Sequence, residues 1–163
     1  RFADEHPKTL NLDIDEIRRY ISHWREEAEQ SAASSKQMAL AMAKVHLRLG
    51  HNVVIPQIVR SPELFEAFEQ VAKDVNADYY EILLFTDKAE AIRRFKERSY
   101  AQGYESGFRP DGLIDRGGRE EKLATMYDEM IKVADKRLKT AKIEVELGNI
   151  DDTYAKILAI INH

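Results

Sequence analysis

Residues 79–87 read Tyr79-Tyr80-Glu81-Ile82-Leu83-Leu84-Phe85-Thr86-Asp87 and run directly into Lys88-Ala89-Glu90-Ala91-Ile92-Arg93-Arg94-Phe95. A nearly continuous apolar run of this length predicts a strand buried on both faces. Thr86-Asp87 then supplies a polar cap, so a helix is expected over 88–100. A buried strand feeding straight into a helix is one half of a parallel βαβ unit, because parallel neighbours need a crossover between them.

The same alternation extends in both directions. Arg1-Phe2-Ala3-Asp4-Glu5-His6-Pro7 resembles the end of a helix stopped by Pro7, and Thr9-Leu10-Asn11-Leu12 predicts a short strand. Asp15 is expected to cap a helix through Glu16-Ile17-Arg18-Arg19-Tyr20-Ile21. A polar stretch over 26–35 leads into a helix from about Ser35 to Leu49, closed by Gly50. Within it Met38, Ala41, Met42, Val45 and Leu49 keep the spacing of one apolar face, and Met38 and Met42 are expected in the core. Asn52-Val53-Val54-Ile55 is a β-branched strand ended by Pro56, and Pro62 opens the next helix. Gly103, Gly107, Gly112, Gly117 and Gly118 punctuate an unpatterned connection over 102–118, expected to be more mobile than the strands. A helix over 119–136, a strand over 142–145 and a helix over 151–161 finish the chain. The expected architecture is one α/β domain over 1–163, a parallel sheet with helices on both faces.

Composition narrows the function. The 163 residues include 25 Lys and Arg against 29 Asp and Glu, a net charge of −4 that argues against a general duplex-DNA coat. Cysteine is absent from the sequence, so thiolate nucleophiles and Cys-based metal sites are excluded. No apolar run approaches the roughly 18 residues of a membrane span, and no signal peptide opens the chain. A cytoplasmic protein without membrane partners is the expectation. His6, His23, His46, His51 and His163 show no metal-binding spacing.

Three groups of residues carry chemistry. Asp13 and Asp15 follow the first strand, where α/β sheets bind ligands, and Arg18 is one helical turn beyond Asp15. A carboxylate there can take a proton from a substrate hydroxyl; the plainer reading is a helix cap beside a solvated arginine. Arg94 and Arg98 are four apart on one helix face at the root of the glycine-rich segment. That suits a clamp on phosphate oxygens, since guanidinium offers paired donors and keeps its charge; a solvated face balanced by Glu90 and Glu97 is the alternative. The segment around 99–119 reads as a lid carrying Arg109, Arg116 and Arg119.

In this order the pieces resemble the P-loop kinases of the zeta-toxin, polynucleotide 5′-kinase and chloramphenicol-phosphotransferase branch: Asp-x-Asp-x-x-Arg, the strand Val53-Val54-Ile55, a strand ending Leu84-Phe85-Thr86-Asp87, Arg94-Phe95-x-x-Arg98, a lid and a closing strand–helix. The resemblance covers essentially the whole chain. It implies a three-layer P-loop kinase-like fold with a helical lid, and transfer of a γ-phosphoryl group from ATP, with Mg2+, to a small-molecule, nucleoside or nucleotide hydroxyl. It casts Asp15 as general base, Arg94 and Arg98 as catalytic clamps facing the same cleft, and Asp13, Arg18, Gln57 and Arg60 as substrate-binding residues. Long nucleic acid is disfavoured as a partner, a single-stranded 5′ end being the exception. Two departures stand out. Pro56-Gln57 occupies a place where many relatives carry an acid, and the sequence contains no G-x-x-x-x-G-K-[ST], so no metal-holding Ser or Thr is assigned. By this resemblance a strand and phosphate-binding loop of roughly 20 residues is expected ahead of Arg1. The alternative is a nucleotide-binding regulatory or interaction module of the same fold without transferase activity.

Overall fold

The computed structural model describes residues 1–101 and 119–162. The chain divides into two units, Arg1–Tyr79 and Tyr80–His163. It is a mixed α/β protein whose strands pair in parallel.

In the first unit the short helix α1 (Phe2–Glu5) precedes β1 (Leu10–Asn11), which pairs in parallel with β2 (Val53–Val54), Leu10 opposite Val53. Leu12 extends the ladder by donating to the Val54 carbonyl at 2.8 Å and is 1% exposed, the centre of the core. Around it pack Ile14 and Ile17 of α2 (Ile14–Arg19), Ala39 and Ala43 of α3 (Ala28–Arg48), and Phe68 and Val71 of α4 (Pro62–Asp74). Pro62 opens α4 at a position where its missing N–H costs nothing.

In the second unit β3 (Glu81–Phe85) pairs in parallel with β4 (Thr140–Glu144) over its full length. Between them run α5 (Lys88–Ala101) and α6 (Arg119–Lys136), and α7 (Ile150–Ile161) follows. Asp87 caps α5, accepting from the Ala89 and Glu90 amides at 2.9 and 3.3 Å. Among the described residues no helix is long and apolar enough to cross a membrane.

The described strands pair in parallel, as expected, in two two-stranded sheets. Three other expectations are corrected. The cap of α2 is Asp13, whose Oδ1 accepts from the Asp15 and Glu16 amides at 2.9 and 3.3 Å, and Asp15 lies inside the first turn. Asp13→Ala is expected to cost about 1 kcal/mol, read as a lower urea midpoint at unchanged slope. The long helix starts at Ala28 instead of near Ser35, because Ser31 and Ser35 point inward and are 2% and 1% exposed. They begin a ridge at intervals of four, Ser31-Ser35-Ala39-Ala43, whose small side chains allow close packing. The methionine stripe falls beside that ridge, so Met38 and Met42 are 44% and 43% exposed rather than in the core. With Val45 and Leu10, Met42 borders a shallow surface groove of about 380 Å³.

The connection over 102–118, with the expected lid residues Arg109 and Arg116, lies outside the described residues. Arg119 opens α6 and is exposed.

Candidate functional site

The first unit carries the acceptor-side candidates. Since β1 and β2 are parallel, the chain leaves both at the same edge of the pair, and Asp13, Asp15, Gln57 and Arg60 all follow that edge. Asp13 is engaged as the α2 cap. Asp15 is exposed, and among the described residues its carboxylate has no hydrogen-bond or ion-pair partner. That division of labour leaves one of two neighbouring carboxylates available for chemistry. Gln57 is half-buried, and its Oε1 is enclosed without a hydrogen-bond partner among the described residues. Such an unmet acceptor costs about 1–3 kcal/mol. Arg60 is exposed.

Arg18 departs from the picture of a solvent-facing guanidinium. It is 6% exposed; its Nε donates to Ser31 Oγ at 2.9 Å and its Nη2 donates to the Ala28 carbonyl. Ser31 Oγ in turn donates to the Trp24 carbonyl at 2.7 Å. The indole of Trp24 lies under the Arg18 guanidinium at 5.4 Å and under that of Arg25 at 4.5 Å. Ser31 and Trp24 are therefore part of the environment of the Asp-x-Asp-x-x-Arg segment. The sequence signal for Ser31 was a small polar residue four before another, Ser35, on the same helix face.

The second unit carries the cationic candidates. Arg94 and Arg98 are one turn apart on α5, with different surroundings. Arg94 is half-buried and its Nε donates to Glu90 Oε1 at 2.7 Å. Glu90 also binds Arg93 at 2.7 Å, and these two guanidinium groups hold its pKa down to about 2. Arg98 is exposed over the Phe95 ring at 5.9 Å and meets no carboxylate among the described residues. Of the pair, Arg94 is the one that meets a carboxylate among the described residues.

Comparison with family models, curated proteins and solved structures finds no match.

The second unit also holds a polar cluster that no local pattern signals. Glu81 opens β3 with its side chain fully enclosed; Arg137 donates Nε to Oε2 at 2.9 Å and Nη2 to Oε1 at 2.5 Å. Thr140 Oγ1 adds a third bond at 2.8 Å, and Lys139 Nζ lies 3.8 Å away. Burial alone would raise the Glu81 pKa; the bonds from Arg137 and Thr140 outweigh it and the pKa is lowered. Its role is to lock the start of β3 to the segment between α6 and β4.

Among the described residues no group of three or more His, Asp or Glu is placed to hold a metal ion. The resemblance assigns Mg2+ and the ATP phosphates to a G-x-x-x-x-G-K-[ST] loop, a motif absent from the sequence.

Proposed function

We propose that this chain supplies the acceptor-side base and a cationic clamp of an ATP-dependent phosphotransferase of the P-loop kinase type. Its acceptor is the hydroxyl of a small molecule, nucleoside or nucleotide. One observation carries the reading: among the described residues the Asp15 carboxylate, just past the C-terminal edge of a parallel strand pair, has no partner, while Asp13 beside it does the capping. In the step, the acceptor oxygen forms a bond to the γ-phosphorus and its proton passes to Asp15. The bond from the γ-phosphorus to the bridging oxygen breaks, and ADP leaves. Phosphoryl transfer asks a protein mainly for positioning and charge neutralisation, and the guanidinium of Arg98, which meets no carboxylate among the described residues, supports the second of these.

The two arginines should then separate in a mutational test. ADP release is followed with protein made from its complete reading frame, against a panel of polyols, sugars and nucleosides with Mg-ATP. Arg98→Ala is expected to lower turnover about 10²–10³-fold. Arg94→Ala is expected to lower it less, because Glu90 already balances that charge. Full turnover in Arg98→Ala would remove it from the clamp.

A further inference from the structure

The surroundings of Arg18 point away from direct contact with an acceptor. Its guanidinium is nine-tenths buried, and two of its three nitrogens donate to the first turn of α3: Nε to Ser31 Oγ at 2.9 Å and Nη2 to the Ala28 carbonyl. Ser31 Oγ is itself anchored by donation to the Trp24 carbonyl, and Ser31 is 2% exposed. The link therefore joins the last turn of α2 to the start of α3 and to the turn between them. It matters because α2 has only six residues. A helix this short is not stable alone and keeps its place through tertiary contacts. Those contacts are Ile14 and Ile17, which enter the core, and Arg18. The two isoleucines hold one face down, and the Arg18 link fixes rotation of α2 about its own axis. Asp15 rides on that axis three residues before Arg18.

We propose that Arg18 is a positioning residue, which acts through Ser31 to fix the orientation of α2 and hence of the Asp15 carboxylate. This rests on the reading of Asp15 as the base, and it assigns Ser31, which no acceptor can touch, a measurable part in turnover. A misplacement of the base by about 1 Å suffices to cost on the order of 10²-fold in rate.

The experiment compares Arg18→Met, Arg18→Lys, Ser31→Ala and the Arg18→Met/Ser31→Ala double variant. Each is checked for native circular dichroism and for the fluorescence of Trp24, the sole tryptophan. Amide exchange at Asp15 and Glu16, the two donors to the Asp13 cap, reports the link whatever the chemistry. It is expected to speed up about tenfold in Ser31→Ala and in Arg18→Met, corresponding to a link worth about 1.4 kcal/mol. In turnover, Ser31→Ala and Arg18→Met are expected to lower kcat about ten- to a hundredfold, with the acceptor KM within about twofold of wild type. The double variant should be no worse than Arg18→Met, because both changes break one link. Arg18→Lys should not rescue, since a point charge cannot reproduce the two directed bonds. Unchanged exchange in Ser31→Ala overturns the proposal. So does a raised acceptor KM at constant kcat in Arg18→Met with rescue by Lys, which would make Arg18 a direct contact. A wild type without acceptor-dependent ADP release overturns the phosphotransferase reading, and the α2 link is then decided by the exchange rates.

Discussion

Replacing Asp15 by Asn is expected to lower acceptor-dependent ADP release by about 10²–10⁴-fold, the range a positioned general base contributes. The substitution keeps side-chain size and removes the proton-accepting charge. Asp15 is exposed and makes no side-chain bond among the described residues, so folding should be nearly indifferent. The melting temperature should move by no more than about 3 °C, since a carboxylate in an exposed first turn interacts only weakly with the helix end. Asp13→Asn gives the matching control: Asn caps helices nearly as well as Asp, so activity should survive there if Asp13 is a cap and Asp15 the base. The reverse result, an inactive Asp13→Asn and an active Asp15→Asn, would exchange the two roles.

The largest effect on stability is expected at Glu81→Gln. Its enclosed carboxylate receives two bonds from Arg137 and one from Thr140. A neutral amide in its place removes the charge that Glu81 sets against Arg137, whose side chain is 11% exposed. Breaking such a buried pair costs about 3–5 kcal/mol, measured as a lower urea midpoint together with faster amide exchange along β3. The pH dependence follows from the lowered pKa of Glu81. A carboxyl whose folded pKa lies below its unfolded value, about 4.3 for Glu, adds stability that is fully present above that unfolded value. The contribution is lost as pH falls through the folded pKa. The gap between wild type and Glu81→Gln should therefore be widest near neutrality and narrow below about pH 4. A gap independent of pH would place the stabilisation in shape rather than charge.

Those two sites show what a sequence does and does not make legible here. Local chemistry sufficed for α4, which opens at Pro62, and for α6, whose expected and observed limits agree. It also sufficed for the parallel sense of the strands, because helices separate them. The cap of α2 is Asp13 rather than Asp15. Asp13 and Asp15 have equal capping chemistry, and the register is decided by Ile14 and Ile17, which must both enter the core. The start of α3 is set by a longer-range contact. Ser31 and Ser35 look solvated, yet Ser31 turns inward to accept from an arginine 13 residues earlier. Strand pairing across two sheets, and a Glu81–Arg137 pair 56 residues apart, depend on contacts no local window contains. At the candidate site residue type was readable, but commitment was not. Asp13, Arg18 and Arg94 are engaged by neighbours, whereas Asp15 and Arg98 are left without one among the described residues.

Transfer to a hydroxyl is most directly tested by phosphorus NMR of Mg-ATP incubated with an acceptor panel and the protein made from its complete reading frame. A new phosphomonoester resonance is expected to grow in equal amount with ADP, absent without acceptor and strongly reduced in Asp15→Asn. ADP accompanied only by inorganic phosphate, or ATP left unconsumed with every acceptor, would contradict it.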